Sequence, residues 1–243
     1  MKESMIPLGR FFFKWRNFLF PLIVVALFAL LPPAQTILGS AQLESLLDGL
    51  GIALVALGVV IRLLVIGYGR IARNGTNKTA DADELFTKGM FGISRNSLYL
   101  GNLTIYTGVF MLHGTLPVFL VGVGLFLFVY YAIIFSEEAF LAGKFGDNFT
   151  RYCQSVPRLR PKLSNKAEAT KDMQLNWKRA IYVEYNIITQ SVLFVALALW
   201  YENYSLTGAG TPPLVVIILL ATIFAFALTI RTVKRQRRKT EAA

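Results

Sequence analysis

Charged residues, cysteine and histidine are all scarce in this 243-residue chain. Only 16% of its residues are charged, and it has one cysteine, Cys153, and one histidine, His113. A single cysteine excludes an internal disulfide and provides no spacing typical of a metal site, so we assign no metal ligands. The chain instead has 55% hydrophobic residues, arranged in runs longer than a soluble helix needs. These runs indicate an integral membrane protein.

Six apolar runs have about the length of 17 to 25 residues that crosses the hydrocarbon core of a bilayer. They cover approximately residues 18–38, 48–69, 98–113, 114–135, 180–200 and 212–231, and the third is the shortest. No small-residue cleavage site closes the first run, and Pro32-Pro33 interrupts its end, so a cleavable signal peptide is not expected. The sequence predicts an all-α, polytopic transmembrane bundle of about six helices.

Lys and Arg are distributed unevenly among the connections between these runs. The segments that contain neither are 39–47, 113–114 and 201–211. By the positive-inside rule, both termini and the segments 70–97 and 136–179 are predicted to be cytoplasmic. This orientation accounts for the net charge of +11, so no nucleic-acid partner is expected. We expect the protein in a bacterial inner membrane.

The chain divides into four segments. They are an N-terminal two-helix block at 1–84, a core at 85–163, a polar cytoplasmic linker at 164–179, and a C-terminal two-helix block with a basic tail at 180–243. The core is predicted to contain a helical hairpin followed, after Phe135, by an amphipathic helix on the cytoplasmic interface. Its apolar residues recur at helical spacing among charged ones: Phe140, Leu141, Phe145, Phe149 and Tyr152. Gly146-Asp147 interrupts this helix, and Pro157 and Pro161 end it.

The second apolar run carries an arginine, Arg62, on the same helical face as two glycines. Gly58 follows Gly51 by seven residues, and Arg62 follows Gly58 by four, so all three point in almost the same direction around the helix axis. Glycines on one face allow another helix to approach closely, which directs Arg62 into the bundle and makes it a candidate substrate contact. In the alternative interpretation, Arg62 extends to the inner headgroups.

Two polar stretches on the predicted cytoplasmic side are candidate sites. Glu137 and Glu138 end a helix, where acids oppose the macrodipole, so they favour a nearby cation; the alternative is a solvated helix end. The stretch SRNSLYLGN, residues 94–102, precedes the third run. Arg95 and the free N–H groups of the helix start are suited to binding a carboxylate or phosphate. The alternative there is a topological charge followed by an asparagine cap.

Together, the stretches TKGMFGISRNSLYLGN and EEAFLAGKFGDNFTRYCQSVPRLRP are similar to a known pattern. They resemble the isoprenylcysteine carboxyl methyltransferase and phospholipid methyltransferase family of membrane enzymes. The family pattern is a Gly-Pro-Tyr turn, Arg-His-Pro-x-Tyr-x-Gly, Glu-Glu-x-x-Leu, Phe-Gly-x-x-Tyr-x-x-Tyr and Val-Pro-Arg-x-x-Pro. The resemblance covers residues 88–161. This chain departs from the pattern at Met90, in place of the turn proline, and at Asn96-Ser97, in place of His-Pro.

The resemblance implies an enzyme that binds S-adenosylmethionine at the cytoplasmic end of the bundle and a lipid or lipidated acceptor that enters from the bilayer. It implies cofactor contacts at Gly89, Arg95, Asn96, Tyr99, Gly101, Glu137 and Glu138, with Arg95 and Glu138 as the catalytic residues. Tyr152 and Arg158 join Arg62 as substrate contacts. Histidine-based catalysis is not expected, because His113 is predicted to lie on the far side of the membrane.

Two other functions are compatible with the sequence. One is a membrane reductase that uses NADPH and is related to the sterol reductases, although a longer chain with more helices is expected there. The other is a non-catalytic membrane protein that retains the fold, which the Asn96-Ser97 substitution favours.

Overall fold

The computed structural model describes residues 2–34, 36–37, 39–69, 84–171 and 173–241. Over these residues the protein is built from helices. They are α1 (Lys2–Leu30), α2 (Ala41–Tyr68), α3 (Ser97–Met111), α4 (Leu116–Ser155), α5 (Lys166–Ala169), α6 (Trp177–Thr207) and α7 (Leu214–Glu241), with 3-10 turns at Gly89–Gly92 and Leu163–Asn165. Residues 70–83 of the predicted basic loop lie outside the described part.

Among the described residues, five helices are long and apolar enough to cross a membrane. The candidate spans are Ser4–Leu30, Ala41–Tyr68, Leu116–Ser155, Trp177–Thr207 and Leu214–Lys234. Helix α3 has 15 residues. At a rise of about 1.5 Å per residue, it is about 22 Å long, less than the bilayer core of about 30 Å. The predicted all-α, polytopic transmembrane bundle is confirmed, with α3 as a shorter helix packed mainly on α2.

Successive long helices run in alternating directions. The basic end of the bundle contains Tyr68 at the end of α2, Ser97 at the start of α3 and Trp177 at the start of α6. The acidic end contains Ala41 at the start of α2 and Thr207 at the end of α6. These two names are used below for the two ends of the bundle.

Glycines bring α2 and α3 into close contact. A Cβ atom at Gly58 would lie 2.6 Å from the carbonyl oxygen of Gly101, and one at Gly51 would lie 3.0 Å from that of Gly108. Because the Cβ atom is absent, the two backbones approach more closely than larger side chains permit. The prediction that this face of α2 receives another helix is confirmed.

Aromatic side chains fill the core between α1, α3 and α4. Phe126 of α4 lies with its ring centroid 5.1 Å from that of Phe20 and 4.2 Å from that of Tyr106. Phe110 and Tyr130 complete the same buried cluster. This packing fixes the position of α3, whose first residues carry the candidate site.

Helix α1 differs from the first predicted span at both ends. It begins at Lys2 rather than near residue 18, because polar residues are interspersed with the aromatic ones in its first turns. It ends at Leu30 rather than at residue 38. Pro32-Pro33 supplies the reason, since proline lacks the N–H that would continue the helix.

The first part of the predicted interfacial helix, up to Phe145, continues α4, and the part after Gly146 follows a break in the helical backbone. Helix α4 runs to Ser155, with non-helical backbone at Gly146, where φ is +50°. The interruption at Gly146 and the end before Pro157 were both predicted from the sequence. Phe149 and Tyr152 are buried against other parts of the chain, so this apolar face packs on protein.

The predicted polar linker is fastened to the core. Asn165 Nδ2 donates a hydrogen bond of 3.2 Å to the carbonyl oxygen of Gly92. Ala169 of α5 is buried, and a Cβ atom at Gly92 would lie only 2.6 Å from its own Cβ. The linker therefore packs on the turn that precedes the candidate site.

Candidate functional site

The segment before α3 lies alongside the segment after α4. The amide N–H groups of Arg95 and Asn96 donate to the carbonyl oxygens of Pro157 and Arg158, at 2.9 and 3.1 Å. Gly89 begins the preceding turn with a φ of +63°, which glycine adopts without steric cost. The two stretches that carry the family resemblance are therefore joined by backbone hydrogen bonds at the basic end.

Glu138 forms ion pairs with two arginines. Arg158 donates from Nε and Nη2 to its two carboxylate oxygens, at 3.0 Å to Oε1 and 2.7 Å to Oε2. Arg95 donates to Oε1 from Nη2, at 3.1 Å. The side chains of Glu138 and Arg95 are 14% and 10% exposed. The bonds to Glu138 raise the pKa of Arg158 above its ordinary value, so its guanidinium stays charged.

Arg95 also binds the end of α4. Its Nη1 atom donates to the carbonyl oxygens of Cys153 and Val156, at 3.0 and 2.6 Å. Both carbonyls belong to the last turn of α4, whose oxygens lack helical partners. Arg95 therefore connects the start of α3, Glu138 and the end of α4 through one planar group.

Glu137 faces α3 next to this cluster. Its Oε1 atom accepts a hydrogen bond of 2.6 Å from the hydroxyl of Tyr99. The Tyr99 ring packs on Tyr130, with centroids 5.4 Å apart. The structure thus brings both acids into contact with the arginine-containing segment, and neither forms a solvated helix end.

Asn96 and Ser97 connect loops rather than cap α3. The Asn96 side chain donates 3.1 Å to the carbonyl oxygen of Arg158 and makes no capping bond to the helix. Ser97 Oγ lies 2.7 Å from the carbonyl oxygen of Met90. The residues that replace His-Pro here therefore hold the turn, α3 and the segment after α4 together.

Two other predicted residues are bound to the same region. The hydroxyl of Tyr152 donates 2.7 Å to the carbonyl oxygen of Phe91 in the 3-10 turn. Gly101 lies against the side chain of Arg62, where an added Cβ would be 2.6 Å from Cγ. Gly101 therefore provides space for the arginine stem.

Arg62 points into the bundle and forms a second, separate network. It is 6% exposed, which excludes the headgroup interpretation. Its Nε donates 2.8 Å to Glu184 of α6, and its Nη1 donates 2.6 Å to the side chain of Asn102. Glu184 was not predicted from the sequence. The signal was available, since Glu184 is an acidic residue within an apolar run and such residues mark buried partners.

His113 lies at the acidic end, beyond the other end of α3 from Arg95. Its ring nitrogens contact Thr115 Oγ1 at 2.7 Å and the carbonyl oxygen of Leu31 at 3.0 Å. Burial lowers the pKa of His113, so the ring is neutral at pH 7. It joins the α3–α4 turn to the end of α1.

A groove in the described part of the protein lies elsewhere. It has a volume of about 550 Å³ and runs between α6 and α7, where polar Asn186, Gln190 and Arg231 interrupt an apolar lining. None of the residues around Glu138 line it. The Glu138 cluster, which is Glu137, Glu138, Arg95 and Arg158, is instead filled by ion pairs among its own side chains. The groove and the charged cluster therefore lie in different places. We take the cluster as the candidate site because its residues carry the charged groups.

Comparisons with known proteins identify a family for this chain. The sequence model of the family described as "Phospholipid methyltransferase" matches residues 48–148, which include Arg62, Arg95, Tyr99, Glu137 and Glu138. The "Cobalt-zinc-cadmium resistance protein CzcN" of Cupriavidus metallidurans is 30% identical over 162 residues, 66% of this chain and 68% of that protein. No solved structure matches the chain. The chain belongs to the phospholipid methyltransferase family of membrane proteins.

Proposed function

We propose that the protein is an integral membrane methyltransferase that uses S-adenosylmethionine to methylate a lipid or lipid-linked acceptor. One observation supports the proposal most directly. Two acids and two arginines lie together at the start of α3 and the end of α4: Glu137, Glu138, Arg95 and Arg158. S-adenosylmethionine supplies a methyl group on a cationic sulfonium, which an acceptor removes by in-line displacement.

The charges of this cluster fit the amino-acid portion of that cofactor. Glu137 or Glu138 is suited to accept hydrogen bonds from an ammonium group, and Arg95 or Arg158 to grip a carboxylate. In the structure these groups pair with one another, since Arg158 and Arg95 both form ion pairs with Glu138. A zwitterionic ligand replaces each internal ion pair by an equivalent external one, so opening the cluster leaves no charge unpaired.

The chemistry asks for positioning more than for a base. An acceptor carboxylate or phosphate is already ionised, so the protein needs to orient it, exclude water and provide a suitable field. The cluster is partly buried, and bonds from Arg95 to the carbonyl oxygens of Cys153 and Val156 fix one side of it while the ion pairs exchange. The missing histidine of the family pattern is then no obstacle to transfer.

The orientation of the site follows from the same charge pattern. The segments flanking the acidic end at 39–47, 113–114 and 201–211 contain no Lys or Arg. By the positive-inside rule this pattern supports a cytoplasmic position for the basic end and the Glu138 cluster, on the side where S-adenosylmethionine is available. The acceptor reaches the cluster laterally from the bilayer.

A binding experiment tests the proposed function and separates it from the two alternatives. Purified protein in detergent is titrated with S-adenosylhomocysteine and, separately, with NADPH, and the heat of binding is measured. We expect saturable binding of S-adenosylhomocysteine alone. Binding of NADPH alone would support the reductase, and binding of neither would support the non-catalytic protein.

A substitution locates the site within the same experiment. Glu138→Gln removes a charge that faces the ligand, and one charged hydrogen bond contributes about 1.5 to 3 kcal/mol. We expect affinity for S-adenosylhomocysteine to fall about tenfold or more. Glu168→Gln, a change of the same kind at an exposed position in α5, should bind like the parent. Equal affinity in Glu138→Gln and the parent would remove Glu138 from the site.

A further inference from the structure

The contact between α2 and α6 has a regular spacing of charged residues. Arg62 follows Glu44 by 18 residues on α2, and Glu202 follows Glu184 by 18 residues on α6. Eighteen residues make five helical turns, so each pair lies on one face. Because the helices are antiparallel, Arg62 meets Glu184 at the basic end and Glu44 meets Glu202 at the acidic end.

The two ends differ in charge. At the basic end the acid has a cation, with Arg62 Nη2 at 2.6 Å from Glu184 Oε2. At the acidic end a third carboxylate joins instead, because Asp48 lies one turn beyond Glu44 on the same face. Carboxylate oxygens of Glu44, Asp48 and Glu202 all lie within 4.8 Å of one another. Three like charges at this separation repel strongly in a partly buried place.

Glu44 is the most enclosed of these three acids. It is only 8% exposed, and its carboxylate points into the cluster. Within the described residues, no ion pair and no hydrogen-bond donor from outside the cluster satisfies it. A carboxylate this deeply buried requires a positive partner to remain ionised.

No Lys or Arg among the described residues pairs with these three acids. The flanking segments 39–47 and 201–211 contain neither Lys nor Arg. The next basic residue along α2 is Arg62, 14 residues after Asp48, which is about 21 Å away along the helix. Arg62 is already bound to Glu184. Among the described residues the three acids have only one another as partners, so they either share protons or take a cation from outside the chain.

We propose that Glu44, Asp48 and Glu202 bind a divalent metal ion at the acidic end of the bundle. A ligand set made only of carboxylate oxygens favours hard cations such as Ca²⁺, Mg²⁺ and Mn²⁺, which also retain water in the remaining positions. The ion connects the start of α2 to the end of α6. It stands at the opposite end of the bundle from the Glu138 cluster, so it is independent of the proposed methyl transfer.

Manganese binding to the purified full-length protein tests the site, since free Mn²⁺ is quantified by its paramagnetic resonance signal. We expect one saturable Mn²⁺ ion per chain, displaced by Ca²⁺. Glu202→Gln should lower the affinity by about tenfold or more, because affinity follows the charge of the ligand set. Asp147→Asn, at an exposed acid of α4, should bind like the parent.

Thermal unfolding of the same proteins controls for misfolding. Without metal, Glu202→Gln removes one repelling charge, so its midpoint should equal or exceed that of the parent. Adding Mn²⁺ should raise the midpoint of the parent and of Asp147→Asn, and raise that of Glu202→Gln less at the same concentration. The proposal is overturned if the parent shows no saturable binding, or if Glu202→Gln binds and responds like the parent.

Discussion

Arg95 combines a structural role with the proposed ligand contact. Its guanidinium holds Glu138 and two carbonyl oxygens of the last turn of α4. A group with this number of fixed donors positions its neighbours and presents the same geometry to a carboxylate ligand. The topological role, by contrast, requires only a positive charge.

Arg95→Lys separates these roles. A lysine keeps the charge that directs membrane insertion, but its ammonium cannot reach Glu138 and the α4 carbonyls at once. We expect normal insertion, a lower thermal midpoint and methyl transfer at least about tenfold slower, since each lost charged hydrogen bond contributes about 1.5 to 3 kcal/mol.

Arg151→Lys is the matched control, because Arg151 is exposed and bonds only to Asn148 among the described residues. It should insert, melt and react like the parent. A result in which Arg95→Lys also matches the parent would return Arg95 to a purely topological role.

At this scale, sequence alone identified the local motif but not the distant partners. Arg95, Glu137 and Glu138 were proposed as site residues because short stretches resemble a family pattern, and the structure brings them close together. Glu184 stands out as an acid within an apolar run, but its pairing with Arg62 joins positions 122 residues apart and cannot be deduced from the sequence around either residue. Long-range pairs of this kind depend on how α2 and α6 pack.

Helix α3 depends on close approach to α2. It is only 15 residues long and is held by glycines on both helices. Its first residues include Tyr99 of the candidate site and Asn102 of the Arg62 network. The spacing of these glycines therefore controls where the site lies.

Gly58→Leu should displace α3. An added Cβ would lie 2.6 Å from the Gly101 carbonyl oxygen, which is backbone and cannot move aside alone. Overpacking of this kind costs about 1 to 3 kcal/mol. We expect a lower thermal midpoint together with weaker S-adenosylhomocysteine binding.

Gly124→Leu on α4 is the control, since a Cβ atom added there would meet no atom within 4 Å beyond its own stretch of helix. It should leave the midpoint and the binding unchanged. Equal behaviour of the two variants would show that α2 and α3 are not held by this contact.

Element boundaries were only partly predictable from the sequence. The kink at Gly146 and the end of α4 before Pro157 were predicted because glycine and proline act locally. The continuity of α4 through Glu137 and Glu138 was not, because a polarity change resembles the start of a new helix. Helix packing, rather than polarity, decides where such a helix ends.

The proposed orientation of the whole molecule rests on its charge asymmetry. Cysteines introduced singly at Gln42 and Thr211, in a background where Cys153 is serine, should react with an impermeant reagent in intact cells. A cysteine at Ser164 should react only after the membrane is opened. The positive-inside rule gives this pattern, because the acidic end carries no Lys or Arg in its connecting segments. The reverse labelling pattern would invert the proposed topology.

Transfer of a labelled methyl group from S-adenosylmethionine into extracted lipid is the most direct measurement of the central claim. Membranes that contain the parent protein should label a lipid-soluble product, membranes with Glu138→Gln should label it at least about tenfold more slowly, and those with Glu168→Gln should match the parent. Absence of label above that of membranes lacking the protein, from a chain that is folded and inserted, would contradict the account.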